Sequence, residues 1–362
     1  MRRLERSEGS MNGGRGAGFS RFPWLTGDEG ESHWQSPDPA FPSSRVGRRR
    51  PAVARNHLPS PNKVVLILSG NRSLSHSKMH HKNAMGMARD FSINPKLWER
   101  YVLNRRVRLR LRDVSTNETG FCIDKKSAQS ALKEYKHEID RLLYVLSAQK
   151  MRSVLVIFQG MDASGKDGAI RHVLTGLNPQ HCKVTSFEEP SGEEIDHDYL
   201  WRIYRATPAK GQLGAFNRSH YEDLLVPRVR GLLSARGVTM RLRQICDMER
   251  IWVENGAVIR KFFFHISRKE QADRFLARLE DPTKHWKVKE SDFVDRKLWS
   301  KFQSVYEEVL PLTSTPQAPW YVIPSDHKWY RDIAVAGIVL RTLQGIDPHF
   351  PKPPLDRKHL KI

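Results

Sequence analysis

The stretch VLVIFQGMDASGKDGAIRHVL, Val154 to Leu174, leaves a chain few ways to fold. An apolar run meets Gly160, a short loop leads to Gly165, and Lys166 opens a segment of helical character. A strand, a glycine-rich turn and a helix in that order form a cradle for phosphate. The glycines let backbone N–H groups converge on phosphate oxygens, the helix start adds its positive end, and Lys166 supplies a point charge. The bland alternative, a glycine-rich turn carrying a surface lysine, leaves the flanking strand and helix as coincidence.

Two carboxylates intrude on this cradle. Asp167 stands where a nucleotide-binding loop has Ser or Thr after the lysine, and Asp162 lies inside the loop. A carboxylate a few ångströms from phosphate oxygens is repelled by several kcal/mol in low dielectric unless a cation sits between them. Asp162 thus predicts Mg²⁺, with Mn²⁺ as a substitute, held by carboxylate and phosphate oxygens. For Asp167 two readings stand, a helix cap and a metal contact.

Alternating segments surround the loop. Lys126 to Lys150 places Leu132, Tyr135, Ile139, Leu142 and Leu143 on one helical face. After the loop come strands at Val184–Phe187, Leu213–Phe216, Val258–Ile266 and Trp320–Ile323. Helices are expected at Glu193–Arg205, Met240–Glu254, Lys269–Leu279, Asp292–Val309 and Lys328–Leu343. Such alternation predicts an α/β fold with a parallel sheet covered on both faces.

Residues 1–90 differ in kind. They are rich in Gly, Pro, Ser and Arg, include RVGRRRPAVAR and show no sustained period, so a disordered basic arm is expected, with Val64–Leu68 as its one apolar run. Translation starting at Met79, Met85 or Met87 would remove most of it. The whole chain of 362 residues carries 61 Lys and Arg against 40 Asp and Glu, a formal +21 that favours a polyanionic partner. Three scattered cysteines, Cys122, Cys182 and Cys246, suggest neither a disulfide framework nor a zinc site, and point to a reducing cytoplasm. No apolar run reaches the roughly 18–20 residues that span a bilayer, and no apolar segment follows Arg2, Arg3 and Arg6 to make a secretory signal, so no membrane partner is expected.

Two further clusters carry charge suited to phosphoryl transfer. In GAFNRSHYEDLLVPRVRG, Arg218 can neutralise a transferring group, while Glu222 and Asp223 can hold a second metal or position an acceptor. His220 reads as a histidine packed beside a nucleotide, with a metal or general-base role as the sharper alternative. In SRKEQADRFLARLEDPTKHWKVKES, Lys269, Arg274, Arg278, Lys284, Lys287 and Lys289 form either a solvated face or an anion-clamping lid.

FQGMDASGKDGAIRHVLTGLNPQ, FNRSHYEDLLVPRV, DPTKHWKVKESDFVDRKLW and APWYVIPSDHKWYRDIAV, in that order, resemble the type 2 polyphosphate kinases over about residues 92–343. The resemblance implies a nucleoside-kinase-like phosphate-loop fold, with a parallel five-stranded sheet between helices and a helical lid at about 268–300. It implies a domain over 91–345 followed by a basic tail at 346–362. The implied reaction is Mg²⁺-dependent, reversible transfer from inorganic polyphosphate to AMP or ADP, or to GMP or GDP, by a homo-oligomer. Gly160, Gly165 and Lys166 would be the Walker A loop and Asp162 its carboxylate; Asp167 and Gly168 fit the family's own loop pattern, G-x-D-x-x-G-K-x-G. Asn217 and Arg218 would take the Walker B position and Arg274 and Arg278 the lid, with Glu222, Asp223, Arg228, Lys284 and Lys287 as further phosphate or nucleotide contacts. FNRSHYED resembles the branches that accept monophosphates, alone or together with diphosphates. Pro227 departs from the family's usual apolar residue and puts the placement of Arg228 in question.

Two rivals have distinct consequences. An ATP-dependent nucleotide kinase of the same fold would use ATP as donor, against the missing hydroxyl after Lys166. A nucleic-acid-binding protein would lose its activity with the arm, yet neither an aromatic ribonucleoprotein motif nor a paired Cys/His finger is present, so nucleic acid is not the expected partner.

Overall fold

The computed structural model describes residues 96–353, apart from 106 and 121–123. The arm at 1–90, the Val64–Leu68 run, Cys122 and the last residues of the basic tail lie outside the described residues.

Among the described residues six strands form one sheet: β1 (Val102–Leu103), β2 (Ser153–Gln159), β3 (Cys182–Ser186), β4 (Leu213–Asn217), β5 (Ala257–His265) and β6 (Trp320–Pro324), in the order β1-β6-β5-β2-β4-β3. β2 to β6 pair in parallel, whereas β1 pairs antiparallel with β6 through Val102 opposite Tyr321. The sheet is therefore mixed and six-stranded rather than purely parallel and five-stranded. A two-residue strand has no periodicity of its own to read; β1 exists because β6 would otherwise be an open edge.

β2 lies at the centre, and its alternation divides the core. Val154, Val156 and Phe158 pack with α1 (Lys96–Glu99), α2 (Lys125–Gln149), α3 (Lys166–Leu174) and α10 (Lys328–Ile346). Leu155 and Ile157 face α4 (Trp201–Ala206) and α6 (Ala235–Glu254) on the other side. Period-two side chains buried on both faces explain why this strand is apolar throughout. A third apolar cluster joins α5 (Glu222–Val229), α6 and α9 (Trp299–Thr313) to β5 and β6.

Three local differences from the sequence pattern have physical causes. The helix expected over Glu193–Arg205 breaks into a 3₁₀ turn at Gly192–Ile195 and α4, because the Asp198 carboxylate accepts from the Leu200 amide at 2.9 Å and offers the backbone a turn instead. The helix expected over Asp292–Val309 is two, α8 (Glu290–Lys297) and α9, parted at Leu298 with φ −89° and ψ 13°. α5 survives Pro227: the proline cannot donate to the Asp223 carbonyl one turn earlier, and the Arg241 guanidinium donates to that oxygen in its place. Among the described residues no helix is long and apolar enough to cross a membrane.

Candidate active site

The loop from Gly160 to Gly165 leaves the carboxyl end of the central strand, where open parallel sheets gather ligands. Gly165 has φ +106°, and a Cβ there would lie 1.8 Å from Nη1 of Arg331, so both its backbone angle and its surroundings require glycine. Among the described residues no side chain caps α3, which leaves its first amides for an anion. Lys166 is buried, and its Nζ donates to the Gly160 carbonyl at 2.6 Å and the Met161 carbonyl at 3.3 Å. Burial pulls its pKa down, opposed by Asp162 and reinforced by Arg218.

Arg218, at the end of β4, donates from Nη2 to Oδ1 of Asp162 at 3.3 Å. Its own φ of +63°, like the +60° of Ala163 in the loop, is strained for a residue with a side chain. Burial acts to lower the Arg218 pKa, but Glu222 and Asp162 outweigh it and hold the guanidinium above its ordinary value. Burial pushes Glu222 up against the pull of Arg218 and Lys166, and the nearby Asp162 charge adds to the rise. Asn217 donates from Nδ2 to Oδ1 of Asp167 at 2.8 Å. Burial opposes ionisation of Asp167, yet Asn217, Lys166 and Lys287 together hold it below the usual carboxylate range.

The segment packed against the loop runs through α7 (Arg268–Leu279), a 3₁₀ turn at Pro282–Lys287 and α8. It brings Lys287 to 3.9 Å from Asp167, and Arg278 to 3.8 Å from Asp292. The gathered set is thus Asp162, Lys166, Asp167, Asn217, Arg218, Glu222, Arg278 and Lys287, around the glycines at 160, 165 and 168.

Other expected residues lie elsewhere. Arg274 is buried behind the loop, not on a lid face: Nε donates to Glu270, Nη1 to the carbonyls of Ala163 and Ser164, both at 2.8 Å, and Nη2 to those of Ser325 and Asp326. All five guanidinium donors are spent, so none is left for a phosphoryl group. Asp223 is held by the buried Arg202 at 3.2 Å and so does not face the loop as a free ligand. Arg228 pairs with Glu308 at 3.4 Å, and Lys284 pairs with Asp281. His220, expected to pack beside a nucleotide, has no exposed surface. It is fully buried between Glu249, Tyr221 and Trp252, where burial lowers its pKa and Glu249 forms part of an ion pair with Lys261 at 2.6 Å.

Sequence reasoning missed Arg331 and Gln271. Arg331, buried in the closing helix, is clamped by Asp332 and presses on Gly165 from behind. Gln271 donates to the Asp162 carbonyl at 2.9 Å. An adjacent Arg331–Asp332 pair entering an apolar helical run was the available signal, since buried charge demands a partner.

A phosphate cradle at the carboxyl end of a parallel strand, faced by arginines, lysines and carboxylates, defines an α/β enzyme of the kinase type. The sequence model of polyphosphate kinase 2 (PPK2) matches residues 122–351. An AMP/ADP-polyphosphate phosphotransferase from Meiothermus ruber is 44% identical over 241 residues, which make up 67% of this chain and 89% of that one. An ADP-polyphosphate phosphotransferase from Rhodopseudomonas palustris is 40% identical over 249 residues, with 63% and 86% covered. The crystal structure of polyphosphate kinase 2 from Arthrobacter aurescens superposes with a TM-score of 0.68 at 36% identity, covering 71% of this chain and 92% of that one. The chain belongs to the polyphosphate kinase 2 family.

Proposed function

We propose that the protein transfers a phosphoryl group from inorganic polyphosphate to AMP or ADP, and in the same manner to GMP or GDP. The observation that carries this reading is the Asp162–Arg218–Lys166 constellation, which sets one carboxylate between two buried or half-buried cations at the ends of β2 and β4. The relatives named for AMP/ADP and ADP favour adenine nucleotides as acceptors. The Gly160–Gly168 loop acts as a Walker A loop in which Asp162 replaces the usual hydroxyl as the metal contact.

The residues fit a hard divalent cation such as Mg²⁺ or Mn²⁺. Among the described residues no three His, Cys, Asp or Glu side chains are grouped to hold a metal alone. Mg²⁺ commonly takes only one or two carboxylates and completes its shell with water and phosphate oxygens. Asp162 is partly exposed, and the raised Glu222 carboxyl beside it would gain from a positive charge. These two would hold the ion, which when bound would neutralise charge between donor and acceptor phosphates.

The chain's own residues do the rest. An oxygen of the acceptor phosphate attacks the terminal phosphorus of the donor, the bridging P–O bond breaks, and the donor leaves one phosphate shorter. The α3 amides and Lys166 grip the donor beside the scissile bond, and Arg218, Arg278 and Lys287 face the charge on the group in flight. Positioning and electrostatics suffice, without a covalent intermediate. Incubation with polyphosphate, Mg²⁺ and either AMP or ADP, with ATP plus AMP as the comparison, tests this. Nucleotide formation from polyphosphate is the expected result, and turnover with ATP alone as donor would overturn it.

A further inference from the structure

A polymeric donor must be held beyond its reacting end, and the structure offers a place behind the loop. A cavity of about 600 Å³ opens between α2, α3 and α10. Its floor is apolar, with Leu132 and Trp329, and its rim carries Lys125 and Lys136 from α2, Arg171 from α3 and Lys328 from α10. Among the described residues none of these four cations pairs with a carboxylate; the nearby Asp332 is already shared by Arg331 and His172.

The cavity adjoins the cradle. Arg171 rides on the helix that starts at Lys166, and Arg331, a turn along α10 from Lys328, presses on Gly165 and Gly168. Lys328 is crowded as well: burial lowers its pKa, and Arg274, Arg331 and Lys284 reinforce the effect against the opposing charge of Glu270. Uncompensated like charges at one site cost free energy until an anion arrives. A chain with about one charge per phosphate matches such a row better than a compact anion does.

We propose that this cavity is a distal binding site for the remote phosphates of inorganic polyphosphate, which hold the donor while its end reacts at the loop. The proposal rests on polyphosphate being the donor. It makes affinity depend on chain length, because only a chain long enough to leave the loop reaches Lys125 and Lys136.

The test is the Lys125→Ala/Lys136→Ala double variant, with folding checked by thermal unfolding. KM is measured with a long chain and with one too short to leave the loop. The ratio of the two KM values should rise about tenfold, equivalent to about 1.4 kcal/mol. For the long chain, the slope of log KM against log salt should flatten by roughly 0.7 for each lost phosphate contact. Equal changes for both chain lengths, or an unaltered salt slope, would overturn the distal site. Direct binding of long-chain polyphosphate in the absence of nucleotide separates the two proposals: if no nucleotide forms from polyphosphate, the functional reading fails, while weaker binding by the double variant still supports the site. Equal binding by variant and wild type, or displacement from this cavity by ADP rather than polyphosphate, would remove it.

Discussion

Arg274 separates a lid cation from an internal strut. Its guanidinium reaches the carbonyls of Ala163, Ser164, Ser325 and Asp326 and the Glu270 carboxylate, with only 7% of the side chain exposed. Arg274→Met keeps the volume and removes every donor, stranding the loop carbonyls and the Glu270 charge. Each stranded buried group costs about 1–3 kcal/mol, and breaking a buried charged network costs about 3–5 kcal/mol in total. For a domain of this size that is a fall in Tm of roughly 6–20 °C. Lysine cannot restore a fork of five donors, so Arg274→Lys should recover less than half of the loss. Calorimetry alongside transfer to ADP reads both effects: stability should fall, and activity at a temperature where the variant is folded should drop mainly through a displaced loop. If Arg274→Met melts within about a degree of wild type while transfer drops a thousandfold, the side chain acts on the phosphoryl group and the strut is refuted.

Asp162→Asn should abolish transfer while leaving the melting temperature within a few degrees, and Mg²⁺ titration should no longer restore turnover; retained turnover refutes the metal assignment. Because burial raises the Glu222 carboxyl above its ordinary value until a cation is bound, protons should compete with Mg²⁺ for it, so the Mg²⁺ concentration needed for half-maximal transfer should rise as the pH falls, and Glu222→Gln should flatten that dependence. His220→Ala should cost roughly 2–5 kcal/mol of stability, the range for emptying a buried site, while the folded fraction keeps its specific activity; a collapse of kcat without destabilisation would return the histidine to the chemistry.

The parts of the fold that could be read from residues are those whose cause is local. β2 announces itself because both its faces are covered, and the loop does so because Gly165 cannot be anything else beside Arg331. β1 takes its register from β6, far along the chain, so nothing within Val102 and Leu103 marks it. The site divides the same way. Asp162, Lys166 and Asp167 lie within one loop and the helix start after it, so spacing brings them together, whereas Arg218, 56 residues from Asp162, joins them only because β4 pairs with β2. Arg274 and Arg278 stand one helical turn apart and look equivalent in sequence. Only the packing of α7 against the rear of the loop turns one inward and leaves the other facing Asp292.

The helix that carries Glu222 tolerates its proline only through a borrowed donor on α6, which makes positions 227 and 241 epistatic. Loss of Arg241 would be mild in a chain with leucine at 227, whose amide could serve the Asp223 carbonyl, and severe in this one. A drift in sequence at one position thus fixes in advance which substitutions the other can accept.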